Sequence, residues 1–184
     1  MTPEIPKISL EEKEKRLKEI REKVEQFVDA LGMPVDTGIK ETVVFLIALG
    51  INTVASCEGH IDHGTGGPYI DITSEKVLEL EEKLKGVTQK QERGKIVEEI
   101  RKAGLEEAKK VLKLLNEFYQ GRKIEDYSQI LTLRQLTRGV YRLESIGIEF
   151  QEETDIETKK ERLQKYQKEM QEFTEFLRRK YFEN

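Results

Sequence analysis

Two apolar stripes, one near each end of the chain, most constrain how this sequence can fold. In each stripe large apolar residues recur at steps of seven, three, four, three and four, which is the a/d spacing of a helix that packs against another helix. The stripes consist of Leu10, Leu17, Ile20, Val24, Phe27 and Leu31, and of Ile156, Leu163, Tyr166, Met170, Phe173 and Leu177. We expect the two terminal helices to pair antiparallel, within one subunit or across a homo-oligomer.

Capping residues mark where several helices should begin. Ser9 with Glu12, and Thr154 with Glu157, have the spacing of a capping box at the start of each terminal helix. Ser74 has the position of an N-cap for a further helix. The sequence therefore predicts helix starts at these three points.

The segment 37–49 is apolar on most sides and is followed by Gly50, which predicts a central buried helix that ends there. Four short segments have the composition of strands, and the connection Thr137-Arg138-Gly139 suits a bulged hairpin. The predicted strands are 51–57, 68–72, 130–136 and 140–146.

These elements predict an α+β protein with a small, mostly antiparallel sheet and about six helices, including long amphipathic N- and C-terminal helices. Two separate helical stretches are expected between residues 94 and 121, one through Ile96 and one through Leu105. A single domain over residues 1–184 is the simplest organisation. The helical insert 74–121 is an alternative separate lobe.

Composition excludes several classes of protein. Charged residues are 37% of the 184 residues, but the net charge is −4 and no lysine-arginine block occurs, so we expect no duplex-DNA binding. With a single cysteine, no disulfide can form within the chain. No apolar run resembles a signal peptide or a membrane span. A cytoplasmic protein without membrane association is the expectation.

The only cysteine and both histidines lie within one seven-residue segment. Cys57, His60 and His63 have the spacing C-x2-H-x2-H, which predicts a metal site, with zinc as the first candidate. A fourth protein ligand would make such a site structural. A water in the fourth position would make it catalytic.

Two carboxylates are candidates for the chemistry of this site. Glu58 follows Cys57 directly, and Asp71 lies on the next predicted strand, where a hairpin would return it towards Cys57. Asp71 should share a strand face with Tyr69 and could serve as fourth ligand, histidine orienter or general base. Alternatively, Cys57 is a catalytic nucleophile that His60 or His63 deprotonates.

A third interpretation is a ligand-binding loop, in which free backbone N–H groups of glycines hold an anion. Arg134 and Arg142 flank the second hairpin and could form a cationic pair for phosphate or carboxylate, or could pair with acidic neighbours such as Glu144. A purely structural loop is the fourth interpretation, with Cys57 as a small buried hydrophobe. The glycines concerned are Gly59, Gly64, Gly66 and Gly67.

One motif carries a resemblance to other proteins. The run 49–60, Leu-Gly-Ile-Asn-Thr-Val-Ala-Ser-Cys-Glu-Gly-His, followed by Pro68-Tyr69-Ile70, resembles a motif in small bacterial and phage proteins of unknown function. The match covers roughly residues 35 to 72. The resemblance implies a site at this loop but names no reaction.

A second resemblance is to the third type of tRNA wybutosine-synthesis methyltransferase, which carries Ser-Ser-Cys-Ser-Gly-Arg. Ser56, Cys57 and Gly59 match that motif, whereas Ala55 and His60 replace its first serine and its arginine. This resemblance would imply S-adenosylmethionine binding and tRNA methylation.

Two classes of function follow from the sequence. The first is a metal-dependent, hydrolase-like or nucleotide- or RNA-modifying enzyme centred on Cys57, His60 and His63, acting on a small-molecule or nucleotide ligand. The second is a non-catalytic binding or assembly protein, in which the terminal helices join subunits and the loop holds a ligand or a structural zinc.

Overall fold

Five helices and one four-stranded antiparallel sheet form the described part of the chain, which confirms the α+β class. The computed structural model describes residues 9–28, 32–62, 65–149 and 155–183. The helices are α1 (Leu10–Val24), α2 (Thr37–Ala48), α3 (Glu75–Gly86), α4 (Lys90–Tyr119) and α5 (Ile156–Glu183), and the strands are β1 (Thr53–Cys57), β2 (Tyr69–Ile72), β3 (Leu131–Thr137) and β4 (Val140–Ser145). Short 3-10 turns lie at Tyr127–Gln129 and Ile146–Ile148.

Caps begin the helices where the sequence placed them, with one change. Ser9 and Glu12 form the predicted capping box of α1, and Ser74 accepts a hydrogen bond from Val77 N at the start of α3. At α5 the capping side chain is that of Asp155. Its carboxylate accepts from the backbone N–H and the hydroxyl of Thr158, at 2.9 and 2.6 Å. The predicted cap Thr154 lies outside the described residues.

The sheet consists of two hairpins in the order β1-β2-β4-β3. In the first hairpin Cys57 pairs with Tyr69. In the second, the turn falls on Arg138 and Gly139 and is one residue shorter than the predicted connection, because Thr137 pairs with Val140; the register shifts between Gln135 and Thr137. Gly139 has φ +80°, a conformation that glycine adopts without steric strain.

Helix α2 is the buried centre of the helical layer, as its apolar composition predicts. It packs against α1, α5 and β1. Its side chains belong to the main hydrophobic cluster together with those of strands β2, β3 and β4 and of the C-terminal part of α4. Its buried residues are Ile39, Thr42, Val43, Val44, Phe45, Leu46 and Ala48.

The terminal stripes are buried, but mainly against α2 rather than against each other. Phe27 and Leu10 of the first stripe, and Ile156 of the second, are exposed. The terminal helices meet directly near the chain ends, where Lys13 Nζ donates to the Phe182 carbonyl at 3.0 Å. The stripe residues that are buried are Leu17, Ile20 and Val24 of α1, and Leu163, Tyr166, Met170, Phe173 and Leu177 of α5.

The predicted pair of helices between residues 94 and 121 is wrong, because α4 is one continuous helix of 30 residues. Gly104 lies in its interior, and a Cβ at that position would collide with the backbone of Gly139. The glycine therefore allows the hairpin turn to approach the helix instead of breaking it. This correction accounts for five helices where about six were expected.

A second, smaller hydrophobic cluster joins α3 to the N-terminal half of α4. It is distinct from the main cluster, to which the C-terminal half of α4 contributes Val111 and Phe118 among others. No helix within the described ranges is long and apolar enough to cross a membrane. The residues of the smaller cluster are Val77, Leu80, Leu84, Ile96 and Ile100.

Candidate metal centre

Three side chains with metal-ligating atoms converge at the end of β1. One ligand atom each from Asp36, Cys57 and His60 lies within 4.8 Å of the others. His60 Nε2 lies 3.5 Å from Asp36 Oδ2, and the side chains of these two residues are 27% and 32% exposed. This group, which we call the ligand cluster, is compatible with a bound metal ion.

Helix α2 and strand β1 bring the ligand cluster together because they run side by side in opposite directions. The turn between them is made at Gly50, which has φ +79°. A helix of 12 residues is about 18 Å long and a strand of 5 residues is about 17 Å long. The residue before the helix, Asp36, therefore returns to the level of the last strand residue, Cys57.

Hydrogen bonds between the start of α2 and the loop after β1 hold the carboxylate of Asp36 in place. Asp36 occupies the N-cap position of α2, but its side chain makes no cap hydrogen bond. Instead Gly38 N donates to Glu58 Oε2 at 2.7 Å, and Asp36 Oδ2 accepts from Glu58 N at 3.0 Å. The acid of the loop caps the helix, while the acid at the N-cap position faces the loop.

Glycines close the loop that carries the histidines. Gly59 has φ +84°, and a Cβ there would lie 2.5 Å from the backbone of Gly67 and 2.8 Å from Leu163 Cδ1. The N–H of Gly59 points to Cys57 Sγ at 3.3 Å. Gly66 has φ +72°, whereas Gly64 lies outside the described residues. At Gly59 and Gly67 the absent side chain permits close packing of the loop.

The thiol of the ligand cluster is held in its neutral form. Burial raises the pKa of Cys57, and the neighbouring carboxylate of Asp36 raises it further, against the opposing effect of the Gly59 N–H. Near neutral pH the metal-free protein therefore has a protonated thiol there. This disfavours an activated cysteine nucleophile.

Asp71 is engaged away from the ligand cluster. Arg142 donates to both of its carboxylate oxygens, at 2.7 and 2.8 Å, and the guanidinium lies 3.7 Å from the centre of the Tyr69 ring. The bond to Asp71 raises the pKa of Arg142. Tyr69 pairs with Glu144 and Asp71 pairs with Arg142, so the four side chains share one face of the sheet. Both oxygens that were predicted to serve the metal site are thus bound by arginine.

Arg134 and Arg142 lie directly opposite each other on β3 and β4. Their charges are balanced within the sheet, since Arg134 Nε donates to Glu144 Oε1 at 2.8 Å. Glu144 is 2% exposed, and its second carboxylate oxygen has no hydrogen-bond partner. We call these two ion pairs, Asp71–Arg142 and Glu144–Arg134, the arginine cluster. The geometry agrees with pairing to acidic neighbours rather than with a free anion site.

The structure brings two of the three predicted metal ligands together, Cys57 and His60. The third, His63, lies outside the described residues. Sequence reasoning missed Asp36, because an aspartate before a helix is normally assigned to capping. The comparison of helix and strand lengths given above is the sequence signal that could have found it.

A cleft of about 250 Å³ lies beside Glu58, whose backbone N–H donates to Asp36 of the ligand cluster. It lies between the start of α2 and the middle of α5. The cleft is lined by Gly38, Glu58, Pro68, Gln167, Met170 and Gln171.

Comparison with protein-family models found no matching family, and comparisons with curated protein sequences and with solved structures found no significant match.

Proposed function

We propose that Asp36, Cys57 and His60 bind one divalent transition-metal ion, with zinc as the first candidate. Carboxylate oxygen, thiolate sulfur and imidazole nitrogen are all ligands that zinc accepts. The convergence of the three atoms within 4.8 Å supports the proposal. At zinc bond lengths of about 2.0–2.3 Å, tetrahedral ligand atoms lie about 3.3–3.7 Å apart. The His60–Asp36 pair, at 3.5 Å, already has this separation, and the longer pairs must contract by at most about 1.5 Å.

The function that fits such a centre is metal-dependent, hydrolase-like chemistry. Three protein ligands leave one coordination position for water, whose pKa falls to about 7 when zinc binds it. The cleft lined by Glu58 has room for a small polar group close to the loop that carries Cys57 and His60. Two glutamine side chains, of Gln167 and Gln171, offer amide hydrogen bonds there. A nucleobase or another amide-bearing molecule is the substrate class that this lining would accept.

The alternative function is a structural metal site in a non-catalytic protein. The tight packing of Gly59 against Gly67 and Leu163 favours it, because this packing fixes the backbone between Cys57 and His60. In this case a fourth protein ligand completes the coordination, and His63 is the candidate from the sequence.

Cobalt titration tests the proposal and separates the two functions. Wild-type protein should bind one Co²⁺ with a thiolate-to-cobalt charge-transfer band, and Zn²⁺ should displace it. Cys57→Ser, His60→Gln and Asp36→Asn should weaken binding or abolish it, whereas Asp62→Asn, which changes an exposed acid of the same loop, should not.

The remaining histidine distinguishes an open site from a closed one. If His63→Gln leaves the cobalt spectrum and affinity unchanged, the fourth position is open and catalytic chemistry is favoured. Loss of tetrahedral absorption in this variant would favour the structural site. Absence of stoichiometric Co²⁺ and Zn²⁺ binding by the wild-type protein would refute both.

A further inference from the structure

We infer that Glu58 is the positioning residue of the proposed metal centre: it caps helix α2 in place of Asp36, and so leaves the Asp36 carboxylate to face Cys57 and His60. The inference rests on the proposed function, since the metal is what the positioned carboxylate would bind. It assigns Glu58 a role other than that of a catalytic carboxylate.

The hydrogen bonds at the start of α2 show that Glu58, and not the N-cap residue Asp36, caps the helix. Aspartate at an N-cap normally accepts from the second or third backbone N–H of its own helix. In α2 the second N–H, that of Gly38, is bound 2.7 Å from Glu58 Oε2, and Asp36 makes no such bond. Glu58 thus satisfies the donor that would otherwise compete with a metal for the Asp36 carboxylate.

Glu58 is held in place by its own backbone. Its N–H donates to Asp36 Oδ2 at 3.0 Å, and its carbonyl accepts from Gln167 Nε2 on α5 at 3.1 Å. Together with the cap, these bonds connect the loop to α2 and to α5. The side chain therefore approaches the helix start from a fixed direction.

Gly38 provides an independent sign that this contact is close. A Cβ at position 38 would lie 2.7 Å from Glu58 Oε2, so any other residue must displace the carboxylate. Gly38→Ala thus disturbs the cap without altering a charge or a ligand. Gly94 in α4 is the matched control, because its Cβ would meet nothing within 4 Å.

Removal of the Glu58 carboxylate should turn Asp36 back to its own helix. In Glu58→Ala the Gly38 N–H loses its acceptor, and Asp36 is the nearest acid that can replace it. Residues that orient a metal ligand typically change metal affinity by about 10- to 100-fold. Glu58→Gln keeps an oxygen acceptor for the N–H and should restore most of the affinity.

The first experiment is Co²⁺ titration of full-length variants followed by absorption spectroscopy. We expect Glu58→Ala and Gly38→Ala to bind Co²⁺ about 10- to 100-fold more weakly than wild type, and Glu58→Gln and Gly94→Ala to stay within about threefold of it, as expected when no ligand orientation changes. Wild-type affinity in Glu58→Ala would overturn the inference.

The second experiment uses metal-free protein, so that it decides the inference even if the proposed metal site fails. Urea unfolding is measured for Asp36→Ala, Glu58→Ala and the double variant. Each variant is described by the factor by which its folding equilibrium constant falls. If either acid can cap α2, the factor for the double variant should be at least about five times the product of the two single-variant factors. Additive losses would show that the two acids do not exchange the cap, whatever the cobalt result.

Discussion

The ligand cluster at the end of β1 and the arginine cluster on β2, β3 and β4 balance charge in opposite ways. In the arginine cluster each carboxylate is paired with a guanidinium from a neighbouring strand. In the ligand cluster Asp36 faces a thiol and an imidazole, and among the described residues no lysine or arginine is paired with it. The first cluster supplies its own cations, whereas the second offers an arrangement that an external cation would complete.

The comparison shows why charge alone does not identify a functional site. Arg134 and Arg142 are the more noticeable feature of the sequence, but their guanidiniums are bound within the sheet. Asp36 is inconspicuous, but it lies beside two soft ligands. A site is better recognised by which ligand atoms converge in it than by the number of charges it contains.

The largest expected effect is on the stability of the arginine cluster. Arg142→Ala should lower the free energy of unfolding by roughly 3 kcal/mol, because it leaves Asp71 buried without its cation. The side chains of this pair are only 15% and 11% exposed. Urea denaturation provides the measurement.

The control for this change is an exposed pair of the same type. Arg138 and Glu81 form an ion pair whose side chains are 43% and 35% exposed. Arg138→Ala should therefore lower stability by less than about 1 kcal/mol. Equal losses in the two variants would show that the arginine cluster has no special structural role.

The second prediction concerns the effect of zinc on the ligand cluster. Zinc at 100 times its dissociation constant should stabilise the wild-type protein by about 2.7 kcal/mol, seen as a rise in melting temperature. Cys57→Ala should abolish this rise because it removes a ligand. Arg134→Ala, which alters only the arginine cluster, should keep it, and loss of the rise there would mean that the two clusters are not independent.

The third prediction applies one substitution to both clusters in metal-free protein. Asp71→Asn loses charged hydrogen bonds to Arg142 and should lower stability by about 1.5–3 kcal/mol. Asp36→Asn keeps an oxygen acceptor for Glu58 N and should change stability by no more than about 0.5 kcal/mol. Chemical denaturation of the pair measures the difference. A larger loss for Asp36→Asn would assign that residue to the fold rather than to metal binding.

The smallest effect is a shift in the titration of the only thiol. Because burial raises the pKa of Cys57, the rate of its reaction with a thiol reagent should increase at a higher pH in the metal-free folded protein than in the urea-unfolded chain. The stabilising contribution of the neutral thiol is complete below the unfolded-state pKa of about 8.5 and is lost as pH rises through the higher folded-state value. Reaction rates measured against pH test the direction. An earlier rise in the folded protein would contradict it.

Local sequence signals predicted the parts of the fold that local interactions determine. The capping box at Ser9, the cap at Ser74 and the glycine turn at Gly139 each need only a few neighbouring residues. The two hairpins followed from segments that are close in the chain. The central position of α2 followed from its lack of a polar face.

Partners that are distant in sequence were not predicted. The terminal stripes identified most of the buried residues of α1 and α5, but a stripe does not specify which helix covers it, and α2 covers both. Two helical stretches were predicted where α4 is continuous, and the reason for a glycine in its interior, the approach of Gly139 to Gly104, lies far along the chain. In both cases the missing information was tertiary contact rather than propensity.

The candidate site divides in the same way. Cys57 and His60 were predicted together because one short loop carries them. Asp36 was not, because its approach depends on the return of β1 along α2, and because its N-cap position already explained its presence. Asp71 was expected in the site from its position in the hairpin, but Arg142 binds both of its oxygens.

The continuity of α4 has a consequence for how the protein opens to solvent. One half of this helix is anchored in the small cluster with α3, and the other half is anchored in the main cluster. The amide hydrogens of the two halves of α4 are therefore protected from exchange by two different hydrophobic clusters. Exchange with deuterated water should begin at the α3 end and progress towards Tyr119, so that opening of the small cluster would not require α4 to leave the main cluster.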